Sequence, residues 1–161
     1  MNAGGIVITL TLVRHAKSDW SDPWRADHDR PLNARGARNA PMMARRFADT
    51  GLEVQCILSS TALRARTTAA AFSAELAVPV ELDEGLYHAS SRQLLAKAAA
   101  AGASSVMIVA HDPGLSDLAH DLSGGRIAHM PTCAVATFGW RLQSWQSVMP
   151  PADSLRCDTP R

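Results

Sequence analysis

The chain has 161 residues, of which 47% are hydrophobic and 19% charged, with 16 Lys and Arg residues against 15 Asp and Glu residues. This length accommodates one domain with a hydrophobic core, and the apolar fraction excludes a disordered chain. A net charge of +1 gives no overall attraction to nucleic acid or to an anionic membrane, so we expect neither as a partner. We predict a single domain over residues 1–161, with a core at about 6–140 and a tail at about 150–161.

The cysteines are odd in number and far apart, which predicts free thiols rather than a disulfide framework or a zinc site. They are Cys56, Cys133 and Cys157. No basic residue precedes the apolar run of residues 6–13, and this run is too short to span a membrane. We therefore expect no export signal, and a cytoplasmic location.

Five apolar segments are predicted to be strands. Residues 6–13 are apolar and β-branched almost throughout, which is typical of a strand buried on both faces of a mainly parallel sheet. Residues 54–58, 78–82 and 105–110 have the same character, and residues 134–140 read as a later strand. The tail after Pro151 has no periodicity, so we expect it to be extended or frayed.

Helices are predicted between these strands. Asn33 is placed to cap a helix that runs to about residue 49 and stops at Gly51, although Pro41 should kink this helix or shift its start. Residues 62–76, 91–101 and 115–122 are the other predicted helices, the last two closed by glycines. Strand and helix in alternation predict an α/β fold: a single-domain three-layer sandwich with a mostly parallel sheet and helices on both faces.

Four polar side chains follow the ends of predicted strands, where open α/β sheets bind ligands. They are Arg14, His15, Arg64 and His111. An arginine fork matches two phosphate oxygens, and an imidazole is a nucleophile when it is neutral. Arg64 also lies near a helix start, whose free N–H groups favour an anion. We expect the local positive charge to lower the pKa of His15.

Each of these residues has an ordinary alternative when it is taken alone. An Arg-His pair is more often a surface feature, and Arg64 beside Arg66 suits a solvated helix face. His111 before Pro-Gly suits a capping histidine as well as a site residue. Their joint placement at strand ends favours a phosphate site.

Five short motifs occur in order along the chain: LVRHAKS-x-W over residues 12–20, RPLN-x-RG over 30–36, S-x-x-LRA-x-x-TA over 60–69, LY at 86–87 and VAH-x-PG over 109–114. In order and spacing they resemble the histidine phosphatase (phosphoglycerate mutase-like) superfamily, and most closely its SixA-type phosphohistidine phosphatases. The resemblance extends over residues 6–140.

The resemblance implies roles for matching residues. His15 would become a transient phosphohistidine, Arg14 and Arg64 would bind the phosphoryl oxygens, and His111 would complete the phosphate pocket. It implies neither a metal nor another cofactor. Lys17 and Ser18, typical of the SixA-type subgroup, would add a charge and a hydroxyl at the rim, with a surface role equally open for Lys17. Glu84 stands where the mutase branch carries its acid, and an ordinary carboxylate in an exposed turn is the alternative.

Several residues depart from this pattern or lie outside it. Asp112 replaces an expected asparagine, so its charge is expected either to slow anion binding or to raise the pKa of His111. Thr61 replaces a common proline. Trp20 and Trp24, among four aspartates, form either a mobile acidic flap or, as we expect, a loop packed against the core. His88 is kept as a further candidate beside the site.

Phosphohistidine hydrolysis is the first functional prediction. The sheet and its helices use the whole chain, so no long insertion covers the site, and an open site suits a phosphate displayed on a phosphorylated protein. A small-molecule phosphatase acting on a sugar or nucleotide phosphate is the runner-up. A mutase activity is third, because it would need a covering lid that retains intermediates. A non-catalytic phosphate-binding module is kept as an alternative from a different class. The sequence does not indicate an oligomeric state.

Overall fold

A computed structural model describes residues 7–161, in which six strands form one mixed sheet. The strands are β1 (Val7–Arg14), β2 (Cys56–Ser59), β3 (Val80–Leu82), β4 (Ser105–Ala110), β5 (Val135–Arg141) and β6 (Ser154–Asp158). Their order across the sheet is β3-β2-β4-β1-β5-β6. The first four in this order are parallel to their neighbours, whereas β5 and β6 are antiparallel additions.

Four helices cover the two faces of the sheet: α1 (Ala34–Ala48), α2 (Leu63–Leu76), α3 (Ser91–Ala99) and α4 (Gly114–Leu122). Helices α1 and α2 share one hydrophobic cluster, where the Phe47 and Phe72 ring centroids lie 6.2 Å apart. Helices α3 and α4 contribute Leu94 and Leu115 to the other cluster. The predicted three-layer α/β fold is confirmed.

The central strands are apolar on both sides because each side packs against a helical layer. Alternate residues of a strand point to opposite faces. Leu10 and Leu12 of β1 accordingly pack with α3 and α4, whereas Val13 packs with α1 and α2. This explains the continuous hydrophobic run that predicted β1.

The predicted strands and helices occur, with shifts of one to two residues at several ends. Asn33 caps α1 by accepting a hydrogen bond from the Gly36 N–H. Helix α1 begins at Ala34 and continues through Pro41, so the expected shift of its start is wrong. Pro41 lies on the exposed side of the helix, where water can solvate the carbonyl that proline leaves unpaired. Ile6, at the predicted start of β1, lies outside the described residues.

The C-terminal tail is extended, and it is part of the sheet rather than frayed. Strand β6 pairs with β5 over five positions, from Val135 opposite Asp158 to Gly139 opposite Ser154. The sheet therefore extends beyond the core predicted at residues 6–140.

Two motif glycines allow close contacts near the strand ends. A side chain at Gly36, in the first turn of α1, would collide with the backbone of Lys17. A side chain at Gly114, which begins α4, would collide with the carbonyl of Ala89. Glycine at these two positions lets the helix starts pack directly on the loops that carry the site residues.

None of the helices within residues 7–161 is both long and apolar enough to cross a membrane. The three cysteines are unpaired.

Candidate active site

The loop after β1 is held from three sides. The His15 N–H donates to the carbonyl of Ala110 at 3.2 Å, next to the end of β4. The Ala16 N–H donates to the buried hydroxyl of Thr68 on α2 at 3.0 Å. The Cys133 N–H reaches the carbonyls of Arg14 and His15, at 3.0 and 3.1 Å. These bonds fix the position from which the His15 side chain extends.

The His15 ring is buried and has a defined tautomer. Its Nδ1 lies 2.8 Å from the carbonyl oxygen of Ala16. Because a carbonyl only accepts hydrogen bonds, Nδ1 carries the proton and Nε2 carries the lone pair. The pKa of His15 is lowered to about 4. Burial is the main cause, the Ala16 bond opposes it, and the charges of Arg64 and Arg14 add to the lowering. The predicted direction is confirmed, with burial as the main cause, and Nε2 of the neutral ring keeps its lone pair at pH 7.

The second imidazole, that of His111, lies beside the first. The ring centroids of His15 and His111 are 5.1 Å apart. Nε2 of His111 lies 2.8 Å from the hydroxyl of Ser60, whereas Nδ1 is buried and has no hydrogen-bond partner within residues 7–161. A buried polar nitrogen without a partner is costly unless a ligand supplies one. When Nε2 of the neutral ring accepts from the Ser60 hydroxyl, Nδ1 carries the proton, and this N–H is suited to donate to a bound oxyanion.

His111 is neutral as well. Burial is the main cause that lowers the pKa of His111 to about 3, followed by the neighbouring His15. The net shift of the His111 pKa is downward, and Asp112 is not among its main causes. Asp112 instead has a small raising effect on the pKa of His15.

Arg64 lies in the first turn of α2, and its guanidinium is bound by Asp27. Nη1 donates to the backbone carbonyl of Asp27 at 2.6 Å, and Nη2 donates to the Asp27 carboxylate at 3.0 Å. The Tyr87 hydroxyl and Arg30 donate to the same carboxylate. Burial alone would raise the pKa of Asp27, but the hydrogen bonds from Tyr87 and Arg64 outweigh it and hold this pKa well below its usual range.

Arg14 is held less tightly, at the end of β1. Its Nη1 donates to the carbonyl of Met130 at 2.9 Å and lies 3.4 Å from the carboxylate of Asp112. Asp112 also accepts hydrogen bonds from the backbone N–H and the hydroxyl of Ser116 on α4. The charge of Asp112 is thus shared between Arg14 and the start of α4. The Nε of Arg14 is buried and unpartnered among residues 7–161.

Three predicted residues are not joined to these four by any hydrogen bond or ion pair in the described part of the chain. Glu84 is exposed in the 3₁₀ turn Glu84–Leu86, where Asp83 forms the cap. Lys17 is half-buried, and its backbone carbonyl accepts from the Asn33 N–H at 2.9 Å. Ser18 is buried and pairs with Leu32 in an isolated β-bridge. Their predicted roles remain predictions.

Sequence reasoning did not identify the segment of residues 20–30 as part of the site. Trp20 and Trp24 are 67% and 93% exposed, so the expected packing of this loop through its tryptophans is wrong. The guanidinium carbon of Arg30 lies 3.2 Å from the centroid of the Trp20 ring. The loop is anchored by the ion pair between Asp27 and Arg64 instead. Asp27 lies just before the RPLN motif, and this adjacency is the one sequence signal that points to it.

Aromatic rings line one side of the site. The Tyr87 ring centroid lies 3.9 Å from that of His88, 4.9 Å from that of His28 and 5.4 Å from that of His111. His88 is exposed and has a φ of 60°, an uncommon value for a residue other than glycine. The candidate His88 therefore lies beside the site, with its ring against Tyr87.

The site brings together two guanidiniums and two neutral imidazoles at the start of α2. Such a set suits an oxyanion, because the arginine forks neutralise charge and the neutral His15 can attack. No group of three or more His, Cys, Asp or Glu side chains in the described ranges is arranged to hold a metal ion.

The family model of the histidine phosphatase superfamily (branch 1) matches residues 10–91. A chloroplastic protein of Arabidopsis thaliana is 30% identical over 150 residues, or 85% of this chain and 68% of that protein. A Mycobacterium tuberculosis protein is 36% identical over 109 residues, or 66% of this chain and 67% of that protein. Both relatives are described as uncharacterized.

Three solved structures share the fold. A candidate phosphohistidine phosphatase SixA from Agrobacterium tumefaciens has a TM-score of 0.76 at 31% identity, covering 83% of this chain and 92% of that chain. A second one, from Nakamurella multipartitia, has a TM-score of 0.82 at 26% identity and covers 96% of each chain. The protein histidine phosphatase SixA complexed with tungstate has a TM-score of 0.70 at 25% identity, covering 86% and 91%.

Proposed function

Because this chain belongs to the histidine phosphatase superfamily and is similar to its SixA-type members, we propose that it hydrolyses phosphohistidine through a phosphohistidine intermediate on His15. Membership of the family supports a phosphatase activity, and the similarity to SixA proteins supports phosphohistidine as the substrate. The solved structure with tungstate, a tetrahedral oxyanion like phosphate, supports an anion pocket in this fold.

One observation carries the proposal: the hydrogen bond from Nδ1 of His15 to the Ala16 carbonyl. It leaves the Nε2 lone pair free to attack, and the pKa of about 4 keeps the ring neutral at physiological pH. An imidazole that was protonated at rest would have no lone pair for the attack.

The first step transfers the phosphoryl group to His15. The Nε2 lone pair forms a bond to phosphorus while the bond to the leaving imidazole nitrogen breaks, and that nitrogen takes up a proton. Arg14, Arg64 and the free Nδ1 of His111 bind the phosphoryl oxygens, whose charge must be neutralised in the transition state. Lys17 and Ser18 contribute at the rim of the pocket.

The second step releases phosphate. Water attacks the phosphorus in line, the bond to Nε2 of His15 breaks, and the proton of the water passes to solvent or to the departing phosphate. The imidazole returns to its neutral form with Nδ1 still bonded to Ala16. In the first step, Glu84 is the proposed acid that protonates the leaving imidazole nitrogen of the substrate. Its exposed position suits a substrate that arrives from solvent.

A large phosphorylated partner suits the surroundings of the site. Trp20 and Trp24 are exposed on the same loop that carries Asp27 to Arg64. Exposed tryptophans are enriched in protein interfaces.

The three free thiols are consistent with the cytoplasm as the proposed location of the protein.

The test is phosphoryl labelling of His15. Incubation with a radiolabelled phosphohistidine protein should give an acid-labile, alkali-stable adduct on the wild type and none on His15→Ala. Replacement of an exposed histidine on α4, His120→Ala, is the matched control and should keep both label and turnover, because the ring of His120 contacts the carbonyl of Ile127. Turnover by His15→Ala at the wild-type rate would refute the nucleophile assignment.

Rates on different substrates test the substrate class. We expect faster turnover of phosphohistidine protein than of p-nitrophenyl phosphate or of a panel of sugar and nucleotide phosphates. A large preference for the small phosphates would favour the small-molecule phosphatase instead. Neither label nor turnover in the folded wild type would favour a phosphate-binding module.

A further inference from the structure

The Asp27 carboxylate lies where it controls the direction of the Arg64 guanidinium. Both terminal nitrogens of Arg64 are bonded to this one residue, Nη1 to its backbone carbonyl and Nη2 to its side chain. A planar guanidinium held at two nitrogens cannot rotate about its last bond without breaking one of the contacts. The Arg64 side chain is only 7% exposed, so water cannot easily replace a lost contact.

Asp27 is itself fixed by groups other than Arg64. Arg30 donates to Oδ1 at 2.7 Å, and the Tyr87 hydroxyl donates to Oδ2. Tyr87 follows β3 and Arg30 precedes α1, so two separate parts of the chain hold the carboxylate. Asp27 would therefore keep its place if Arg64 moved, as a fixed support requires.

Two roles are compatible with an anion bound to a phosphate-site arginine. The carboxylate either competes with phosphate for Arg64 or holds Arg64 while its other donors bind phosphate. A guanidinium has five N–H donors, and the two bonds to Asp27 leave three for a ligand. The independent anchors from Arg30 and Tyr87 favour the second role, because a competitor must be free to leave.

We infer that Asp27 is a positioning residue, which aims the free donors of Arg64 at the transferred phosphoryl group. This inference rests on the proposed function, since it requires that Arg64 bind phosphate. It adds a residue of the loop before the RPLN motif to the machinery of that site. Transition-state stabilisation depends on donors fixed before the reaction, so the loss of Asp27 should lower turnover.

The first experiment compares Asp27→Asn with Asp29→Asn. Asp29 lies in the same 3₁₀ turn, its side chain is 70% exposed, and its carboxylate forms an ion pair with His28 at 3.7 Å, so its replacement is a control for the loss of one negative charge. With p-nitrophenyl phosphate as substrate, we expect kcat/KM to fall about 10- to 100-fold in Asp27→Asn and less than about 2-fold in the control. Thermal unfolding identifies any variant that fails to fold.

A double-mutant cycle with Arg64→Ala separates positioning from general support of the fold. If Asp27 acts through Arg64, Asp27→Asn should cause no further loss once Arg64 is absent. The cycle is measured in kcat/KM and in the dissociation constant for inorganic phosphate, so that it stays readable when turnover is low. An equal fold-loss with and without Arg64 would overturn the inference.

A gain would overturn it as well: tighter phosphate binding and faster turnover in Asp27→Asn would identify Asp27 as a competitor. Failure of the positioning role can be distinguished from failure of the proposed function. Loss of the label on His15 in the wild type contradicts that function, whereas a neutral Asp27→Asn in a protein that labels normally contradicts only the positioning role.

Discussion

Arg14 and Arg64 are predicted for the same task, but the protein holds them in different ways. The Arg14 side chain is 21% exposed and contacts a carbonyl and, at 3.4 Å, the carboxylate of Asp112. The Arg64 side chain is 7% exposed and has two short hydrogen bonds to Asp27. A buried charge depends more strongly on its partner than an exposed one does. Two arginines of one pocket therefore need not be equally replaceable.

The partners also come from different places. Asp112 follows β4, the parallel neighbour of β1, so the sheet itself brings Asp112 to Arg14. Asp27 lies 37 positions before Arg64, in a loop without regular strands. The Arg14 half of the site is thus a product of strand pairing, and the Arg64 half depends on how one loop folds.

The largest expected effect concerns the two imidazoles between the arginines. His15 and His111 have folded pKa values of about 4 and about 3, below the ordinary value of 6.5. The unfolded chain binds more protons over this range, so the folded state loses stability as the pH falls below 6.5 and regains it as the pH rises. For His15 the full loss is on the order of 3 kcal/mol. Urea unfolding between pH 4.5 and 7.5 should show this slope, and the slope should be smaller in His15→Asn.

The titration of His15 also tests whether the two arginines contribute unequally to its pKa. The charge of Arg64 lowers the pKa of both histidines, and its effect on His15 exceeds that of Arg14. Arg64→Gln should therefore raise the pKa of His15, followed by NMR of the ring nitrogens, more than Arg14→Gln does. A larger rise of the His15 pKa in Arg14→Gln than in Arg64→Gln would contradict the stronger effect of Arg64.

The next largest effect is the loss of turnover when either arginine is replaced by lysine, which has a single ammonium group in place of the guanidinium. Arg64→Lys should lower kcat/KM about 100-fold, because lysine cannot donate to both the carbonyl and the carboxylate of Asp27 and bind phosphate as well. Arg14→Lys should cost less, about 10-fold, because among residues 7–161 only one side-chain nitrogen of Arg14, Nη1, is bonded. Steady-state kinetics of both variants on one substrate measures the two losses in kcat/KM. Equal losses would show that the pocket depends equally on both arginines.

The smallest effect is expected for Asp112→Asn. The asparagine side-chain oxygen can still accept from Ser116, as Asp112 does now at 2.8 Å, while the negative charge 3.4 Å from Arg14 disappears. We expect inorganic phosphate to bind about 2- to 3-fold more tightly, with a difference that shrinks at high salt. Inhibition by phosphate at two ionic strengths measures this. A loss as large as that expected for Asp27→Asn would show that both arginines need their aspartates equally.

Much of the site could be predicted from the sequence because it follows from local patterns. The apolar runs predicted β1 and β4, and the residue directly after each strand is held at the sheet edge. Arg14, His15 and His111 therefore lie together, as the pairing of Arg14 with Ala110 requires. Arg64 lies where the predicted start of α2 placed it.

Strand β6 could not be predicted, because it is an edge strand with mostly exposed side chains and so has no hydrophobic alternation to reveal it.

The sequence by itself determined the layered fold, the four residues around the proposed phosphate site and the direction of the pKa shift of His15, since periodicity and residue type carry that information. Only the tertiary structure decided which nitrogen of His15 is free, that Nδ1 of His111 is unpartnered and that Asp27 holds Arg64. These features are contacts between atoms distant in the chain or set by the path of a loop. Their physical cause is the packing of irregular segments, which leaves no period in the sequence.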